Sequence, residues 1–272
     1  MIMVASVDEK TVRIGVFVGG LLLLALWERI TALGGRKVPR VTRWPANVGL
    51  TVIDTALLRV LFPAGAVGIA MFAAKRGFGL FNLVPLPNYA VVVIGLMLLD
   101  LVIYFQHRVF HSVRWLWRIH RVHHADPELD VSTALRFHPA EAFLSMLLKA
   151  FVVLVFGLPA ACVLIFEVVL NAAAMFNHAS VRLPGTTERW VNWLLVTPEM
   201  HRVHHSKRWN EANRNFGFSV SLWDRIFRTY RGALHGLGDP PSVGLPDGPT
   251  SPSHTQFWGL LRMPWGRGSV RN

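Results

Sequence analysis

Four long apolar regions dominate the pattern of hydrophobic and polar positions along the chain. They cover residues 12–33, 48–74, 89–105 and 142–176. About 20 consecutive apolar residues cross a bilayer as a helix. The first region has an unbroken apolar core from Ile14 to Trp27, with Glu28 and Arg29 at its edge. The second is less regular, because Asp54 and Arg59 interrupt it. The pattern predicts an all-α integral membrane protein with about four spanning or half-spanning helical regions.

The fourth region is too long for one ordinary span and is interrupted near its middle. Gly157, Leu158 and Pro159 form the interruption, and a proline does not continue a helix without a kink or a break. We expect a hairpin of two half-length or tilted helices whose two ends lie on the same face. The alternative, one long span, would place His120 and His201 on opposite sides of the bilayer.

Basic residues between the first two regions predict the orientation of the chain. The basic residues are Arg29, Arg36, Lys37, Arg40 and Arg43. Loops rich in Lys and Arg stay in the cytoplasm, so the third region is expected to bring His107 to the cytoplasmic face. On this basis the domains are an N-terminal part of spans and basic loop (1–87), a histidine-rich part that includes the hairpin (88–231), and a tail (232–272).

Composition narrows the class further. Apolar residues make up 52% of the 272 residues and charged residues 16%, with a net charge of +12. Disordered chains have the opposite balance, and a basic surplus on so apolar a chain favours a membrane surface over nucleic acid as partner. The single cysteine, Cys162, excludes a disulfide framework and a cysteine-based metal site.

Twelve histidines are the unusual feature, and eight of them fall in three clusters. His107 and His111 form the first, and the pentapeptide His-Arg-Val-His-His occurs twice, at residues 120–124 and 201–205. Helix positions three and four apart lie on one face, so each cluster presents its imidazoles in one direction. Thr197 and Pro198 predict a helix start before the last cluster.

Clustered imidazoles of this number predict two metal ions. The eight histidines are His107, His111, His120, His123, His124, His201, His204 and His205. They exceed the four positions of one tetrahedral zinc ion, and imidazole suits iron, zinc, copper and nickel alike. A zincin protease is excluded, because arginine follows the first histidine of each cluster where its glutamate would stand.

Several neighbours of the clusters are candidates for supporting roles. Asp100 and Tyr104 share a helix stripe with the first cluster, and Asp100 is expected to accept the second ring N–H of a ligand or to pair with an arginine. His178, next to Asn177, is expected to be a ninth ligand at the end of the hairpin.

Residues at the edges of the histidine-rich part have less definite roles. His138 and Glu141 are consistent with either a helix start or support of the metal site. The tail is expected to be loosely ordered, with Trp258 and Trp265 at the membrane interface, and its histidines have no assigned role.

These clusters resemble those of the sterol desaturase and fatty acid hydroxylase superfamily of membrane di-iron enzymes. The histidine boxes match in order, together with Ser-Thr-Ala-Leu-Arg (132–136), Asn-Phe-Gly (215–217) and Leu-Trp-Asp-Arg-Ile-Phe-Arg-Thr-Tyr (222–230). The resemblance covers about residues 90–231. The chain departs from the usual pattern at Asn213 (usually an acid), Phe216 (usually tyrosine) and Arg228 (commonly glycine).

The resemblance implies two irons, with zinc as a possible substitute after purification, and dioxygen as co-substrate. It implies hydroxylation or desaturation of an unactivated lipid C–H bond, chemistry that side chains alone do not supply. Electrons would come from a separate reductase, ferredoxin or cytochrome, since no matching cofactor motif occurs here. Basic residues suited to an acidic carrier or to lipid headgroups are Arg114, Arg118, Arg121, Arg202, Lys207 and Arg208. A divalent-metal transporter and a bis-histidine haem carrier are the alternatives from other classes.

Overall fold

The computed structural model describes residues 8–31, 38–232, 242–245 and 251–266, and the regular structure in these ranges is helical. The long helices are α1 (Glu9–Ile30), α2 (Arg40–Leu61), α3 (Gly65–Arg76), the short α4 (Leu80–Leu83), α5 (Asn88–Ser112) and α6 (Arg114–His124). After a 3-10 turn (Val131–Leu135) follow α7 (Pro139–Phe156), α8 (Ala160–His178), α9 (Gly185–Leu194), α10 (Pro198–His204), α11 (Trp209–Ala212), α12 (Leu222–Ile226) and α13 (Phe257–Arg262).

Five helical stretches are long and apolar enough to cross a membrane: α1, the stretch Arg40–Leu83, α5, α7 and α8. The all-α membrane fold is therefore confirmed, with five candidate spans because the fourth apolar region forms two helices. The second region also differs in detail from the prediction. Its helix begins at Arg40 and breaks between Leu61 and Gly65, where Pro63 has no N–H to offer to a continuing helix.

The hairpin bends at the predicted interruption. Gly157 ends α7 in the left-handed conformation (φ +64°), and Pro159 precedes α8. A Cβ at Gly157 would come within 2.6 Å of the Phe78 carbonyl oxygen, so only glycine fits this approach. The start of α7 and the end of α8 consequently lie together at the opposite end of the hairpin, beside the histidines.

Arg43 was expected in the basic loop between the first two apolar regions, but it lies in the first turn of α2. Its side chain is fully buried, and Nη1 donates to Asp126 Oδ1 (2.8 Å) and to the Glu128 carbonyl (2.9 Å), while Nη2 donates to Asp130. A charge buried in this way needs ionised partners. Arg43 therefore joins α2 to the loop after α6, whereas Arg36 and Lys37 lie outside the described residues.

The prediction of a loosely ordered tail is wrong for residues 251–266. A 3-10 turn (Pro252–Thr255), α13 and a second turn (Met263–Trp265) pack on α2 and α6, and Leu260 is fully buried. Carbonyl oxygens of this segment accept hydrogen bonds from Arg118, Arg121 and Arg136. The arginine side chains thus supply donors for carbonyls that no long helix satisfies. Trp258 and Trp265 remain exposed.

Candidate metal centre

Nine buried histidines meet at the end of the helical bundle in two groups. The first group is His107, His111, His120, His124 and His204, and the second is His123, His178, His201 and His205. Within each group one ring nitrogen per residue lies within 4.8 Å of the others. The same nine residues were predicted from the sequence, so the structure brings all of them together; their role as ligands stays a prediction.

Four helices carry these residues. α5 and α8 deliver His107, His111 and His178 from the membrane side. α6 carries the first pentapeptide, and α10 with its C-cap residue His205 carries the second. Thr197 caps α10 as predicted, its hydroxyl oxygen accepting from the Met200 N–H (3.3 Å) with Pro198 at the first position. The three- and four-residue spacing therefore turns each set of imidazoles toward one shared interior.

Five of the rings are oriented by acceptors at Nδ1. Nδ1 of His107 lies 2.9 Å from the Phe216 carbonyl, and Nδ1 of His204 lies 2.8 Å from the Arg214 carbonyl. The others are His120 with Glu141 Oε1 (2.8 Å), His123 with the Arg136 carbonyl (3.2 Å) and His178 with the Ala174 carbonyl (2.7 Å). A carbonyl or carboxylate oxygen only accepts, so each Nδ1 carries the proton and each Nε2 presents a lone pair.

Two of these lone pairs face each other. Nε2 of His123 and Nε2 of His178 are 3.0 Å apart, and His178 is again 3.0 Å from Nε2 of His201. With both Nδ1 atoms protonated, a neutral His123 and His178 have no hydrogen to place between their Nε2 atoms. Two imidazoles bound to one ion at 2.0–2.1 Å would hold their nitrogens about 2.9–3.4 Å apart, from the octahedral to the tetrahedral angle. The contact therefore fits a pair of ligands that could share one cation.

The first group shows the same need for a ligand. Nε2 atoms of His107, His120 and His204 are buried and have no hydrogen-bond partner among the described residues, whereas buried polar atoms in proteins are nearly always partnered. These are the nitrogens opposite the oriented Nδ1 atoms. The residues present therefore fit a metal in both groups.

Burial also keeps the rings in the form that binds metals. Loss of water and the neighbouring His178 hold the pKa of His123 well below its usual value, and burial lowers the pKa of His204 to about 3. The pKa values of His201 and His205 are lowered for the same first cause. Neutral imidazole is the ligand form.

Of the residues predicted to support the metal site, Glu141 contacts a histidine and the others have different partners. Glu141 accepts from Nδ1 of His120 and so orients the ring. Histidines in metal sites commonly donate their other ring N–H to a carboxylate in this way. The expectation that Asp100 contacts a histidine is wrong, because its Oδ2 accepts from Trp223 Nε1 (2.8 Å). Tyr104 is fully buried but bonds Thr229 (2.7 Å), and Asn177 Nδ2 donates to the Phe218 carbonyl (2.6 Å).

His138 lies outside both groups. Its Nδ1 accepts from the Ala140 N–H and its Nε2 donates to the Leu261 carbonyl (3.2 Å). The helix-start interpretation of this residue is therefore the right one. His254 contributes its backbone carbonyl to Arg136, and His235 lies outside the described residues.

The loop between α11 and α12, together with Asp224 of α12, supplies acceptors that sequence reasoning missed. Asp224 accepts from the N–H groups of Phe216 and Gly217 and from the Thr229 hydroxyl, which fixes the Phe216 carbonyl beneath His107. Arg228 adopts the left-handed φ of +57°, a conformation in which glycine is least strained. The positive φ explains why glycine is common at this position. Arginine adopts the same conformation here at a cost in backbone strain.

A cavity of about 290 Å³ opens onto the first group between α2, α5, α7 and α8. His107 and His120 line one end, and apolar walls include Leu58, Ile103 and Met175. Because it runs among the candidate spans, the cavity suits an apolar chain that enters from the bilayer.

Fold and site define an integral membrane protein with a buried polyhistidine centre, and sequence comparisons place it in a family. The sequence profile of the fatty acid hydroxylase family matches residues 92–229, just over half of the chain. The chain therefore belongs to the fatty acid hydroxylase family, which confirms the resemblance seen in the motifs. No solved structure matches the chain.

Several characterised proteins are similar to the chain. Ornithine lipid hydroxylase OlsE of Rhizobium tropici is 28% identical over 176 residues, 65% of this chain and 50% of that protein. Alkylglycerol monooxygenase of Caenorhabditis elegans is 26% identical over 208 residues (75% and 39%), and cholesterol 25-hydroxylase of Rattus norvegicus 29% over 148 residues (53% and 48%). The chain spans half or less of the length of these relatives.

Proposed function

We propose that the chain is a membrane monooxygenase that hydroxylates an unactivated C–H bond of a lipid. The observation that supports this most directly is the pair of Nε2 lone pairs on His123 and His178, which face each other at 3.0 Å in a cluster of nine buried imidazoles. The family and the hydroxylases and monooxygenases among its relatives support the reaction class.

The reaction consumes dioxygen, two electrons and two protons, converting R–H to R–OH with release of water. Two iron ions, bound by the nine histidines, would supply the oxygen activation; zinc has no redox chemistry and fits only as a substitute. The chain's own residues would bind the metal ions, orient the imidazole rings and enclose the lipid. Glu141 and the carbonyls of Phe216, Arg214 and Arg136 hold the proton at Nδ1, and the apolar cavity walls exclude water from the reacting carbon.

Electrons are proposed to come from a separate donor protein that docks on the basic end of the molecule. Of the basic residues considered for docking, Arg114 and Arg208 are exposed, while Arg121 is buried and bonded to the C-terminal segment. An acidic carrier would be attracted to the exposed charges. The same charges favour a cytoplasmic position for the metal end.

Two alternatives are less well supported. Desaturation starts from the same hydrogen abstraction, but the relatives carry hydroxylase and monooxygenase names. A metal transporter would hold its ligands near the middle of its spans, whereas His111 is the penultimate residue of α5 and His178 the last of α8.

Iron analysis of the purified full chain tests the proposal. We expect about two irons per chain in the wild type, and less in His204→Ala and His205→Ala, each of which removes a histidine from one group. His254→Ala is the matched control and should keep both irons, because that ring lies outside both groups. One iron or none in the wild type would contradict the di-iron proposal, and so would loss of iron from the control alone.

Cysteine accessibility tests the orientation. Cys162 is buried, so single cysteines introduced at exposed positions can be labelled selectively. Positions next to Arg114 and Arg208 should react only with reagents that reach the cytoplasm. Labelling from the outside would place the metal end on the other face.

A further inference from the structure

The cavity beside the first histidine group contains buried hydrogen-bond acceptors that no protein donor satisfies. Oδ1 of Asp54 and Oε2 of Glu141 are both buried, and within the described part of the chain no donor reaches either atom. Both residues line the cavity and are at least nine-tenths buried, at 9% and 5% exposure.

Three donor side chains in the cavity wall, in contrast, are already engaged. Thr51 Oγ1 donates to the Leu135 carbonyl (2.8 Å), and Gln106 Nε2 donates to Ser145 Oγ (2.5 Å). At the other end of the cavity Lys149 is ion-paired with Glu167. The wall therefore offers spare acceptors to a bound molecule, namely Asp54 Oδ1, Gln106 Oε1 and Glu141 Oε2, and Glu141 lies beside His120.

An acidic pair inside a bundle of apolar helices is unfavourable unless something compensates it. Polar groups that are buried in a membrane-spanning region are ordinarily paired with one another or with a ligand. Here the side chain of Asp54 points into a cavity, and the second oxygen of Glu141 remains free after its first oxygen has accepted from His120 Nδ1. A hydrogen-bond donor bound in the cavity would compensate these groups.

We propose that the cavity binds a lipid through an O–H or N–H group that donates to the carboxyl groups of Asp54 and Glu141. This inference rests on the proposed lipid hydroxylase function and names its substrate class: a lipid with a hydroxyl or amino group near the reacting carbon. Because Glu141 also contacts His120, a donor held there places the adjacent carbons beside the first histidine group. The new oxygen is then expected within a few bonds of the donor and not in the middle of an alkyl chain.

Binding to the full chain in detergent, with its iron content measured on the same sample, tests the proposal without turnover. The probes are octadecan-1-ol, octadecan-1-amine and 1-methoxyoctadecane, which share a chain while only the first two can donate. Each competes with radiolabelled octadecan-1-ol. We expect at least one of the two donors to bind three times or more tightly than the methyl ether in the wild type, and the alcohol and amine arms identify which donor is preferred. A ratio below three for both donors overturns the proposal.

Variants assign the preference to the cavity. Asp54→Leu removes an acceptor at similar size, and the preference should fall below threefold. Val52→Leu is the matched control, on the same helix but 60% exposed toward the surroundings of the bundle, and it should keep the preference. A preference that survives Asp54→Leu overturns the assignment, and the wild-type comparison decides the proposal if that variant does not fold.

The outcome is separable from that of the proposed function. A donor preference in a chain that holds no iron would contradict the hydroxylase and support the cavity assignment. Two irons per chain without a donor preference would do the reverse. Mass spectrometry of oxygenated lipids from cells expressing the chain adds a second readout, since an oxygen placed at mid-chain would overturn the cavity assignment alone.

Discussion

Arg43→Met is the perturbation whose effect follows most directly from the structure. Arg43 is fully buried and is bonded to Asp126, Asp130 and the Glu128 carbonyl. Removal of the cation leaves two carboxylates buried without their main partner, a change that costs about 3–5 kcal/mol. For a chain of this size that corresponds to a fall in melting temperature on the order of 10 °C.

The effect should extend to the metal site. The loop anchored by Arg43 leads to Arg136, whose carbonyl accepts from His123 Nδ1, so a loosened loop no longer fixes that ring. We expect Arg43→Met to lower both the melting temperature in detergent and the iron content, and Arg43→Lys to have an intermediate effect. Arg59→Met, an exposed change on the same helix, should shift stability by no more than about 0.5 kcal/mol. Equal melting temperatures for the Arg43→Met and Arg59→Met variants would refute the reasoning.

Three further predictions concern the site and its loop. Glu141→Gln removes the charge that orients His120, so iron affinity measured against a chelator should fall about 10–100-fold; unchanged affinity would remove Glu141 from the site. Arg228→Gly relieves a left-handed φ at an exposed residue and should raise the free energy of unfolding by up to about 1 kcal/mol, so a lower melting temperature would contradict it. The third is acid sensitivity of the metal-free chain. Burial lowers the pKa of His204 to about 3 from 6.5, so below pH 6.5 the unfolded chain binds a proton that the folded chain does not. The free energy of unfolding should therefore fall as pH drops toward 3, by up to about 1.4 kcal/mol per pH unit for each such histidine. A melting temperature that is constant between pH 7.5 and 5.5 would contradict this.

Local patterns predicted the parts of the fold that depend on local physics. Hydropathy located the spans, and the break at Gly157–Pro159 marked the hairpin turn, because both features follow from what a single segment does in a membrane. The burial of Arg43 could not be seen in this way. A charge between two apolar regions looks like any other interfacial cation until its partners, Asp126 and Asp130, are known to lie beside it.

The site shows the same division. Eight of the nine histidines were identified from three- and four-residue spacing, since a helix turns such residues to one face, and His178 was identified from its place at the end of the hairpin. The atoms that orient them are mostly backbone carbonyls, such as that of Phe216, and a carbonyl occurs in every residue. The order of the tail was missed for a related reason, as its binding to Arg118 and Arg121 also uses carbonyls. Asp100 was misassigned because its partner, Trp223, is 123 residues away.

Backbone carbonyls make the orientation of the histidines less sensitive to single substitutions than side-chain acceptors do. A side-chain acceptor such as Glu141 is lost in one substitution, but a carbonyl is lost only when its loop moves. Phe216 keeps its carbonyl beneath His107 whichever residue stands at that position, provided that Asp224 holds the N–H groups of the loop. This explains why phenylalanine in place of the usual tyrosine leaves the site intact in the structure. Asp224 donates or accepts no hydrogen bond with the nine histidines in the described part of the chain, yet the orientation of His107 depends on it.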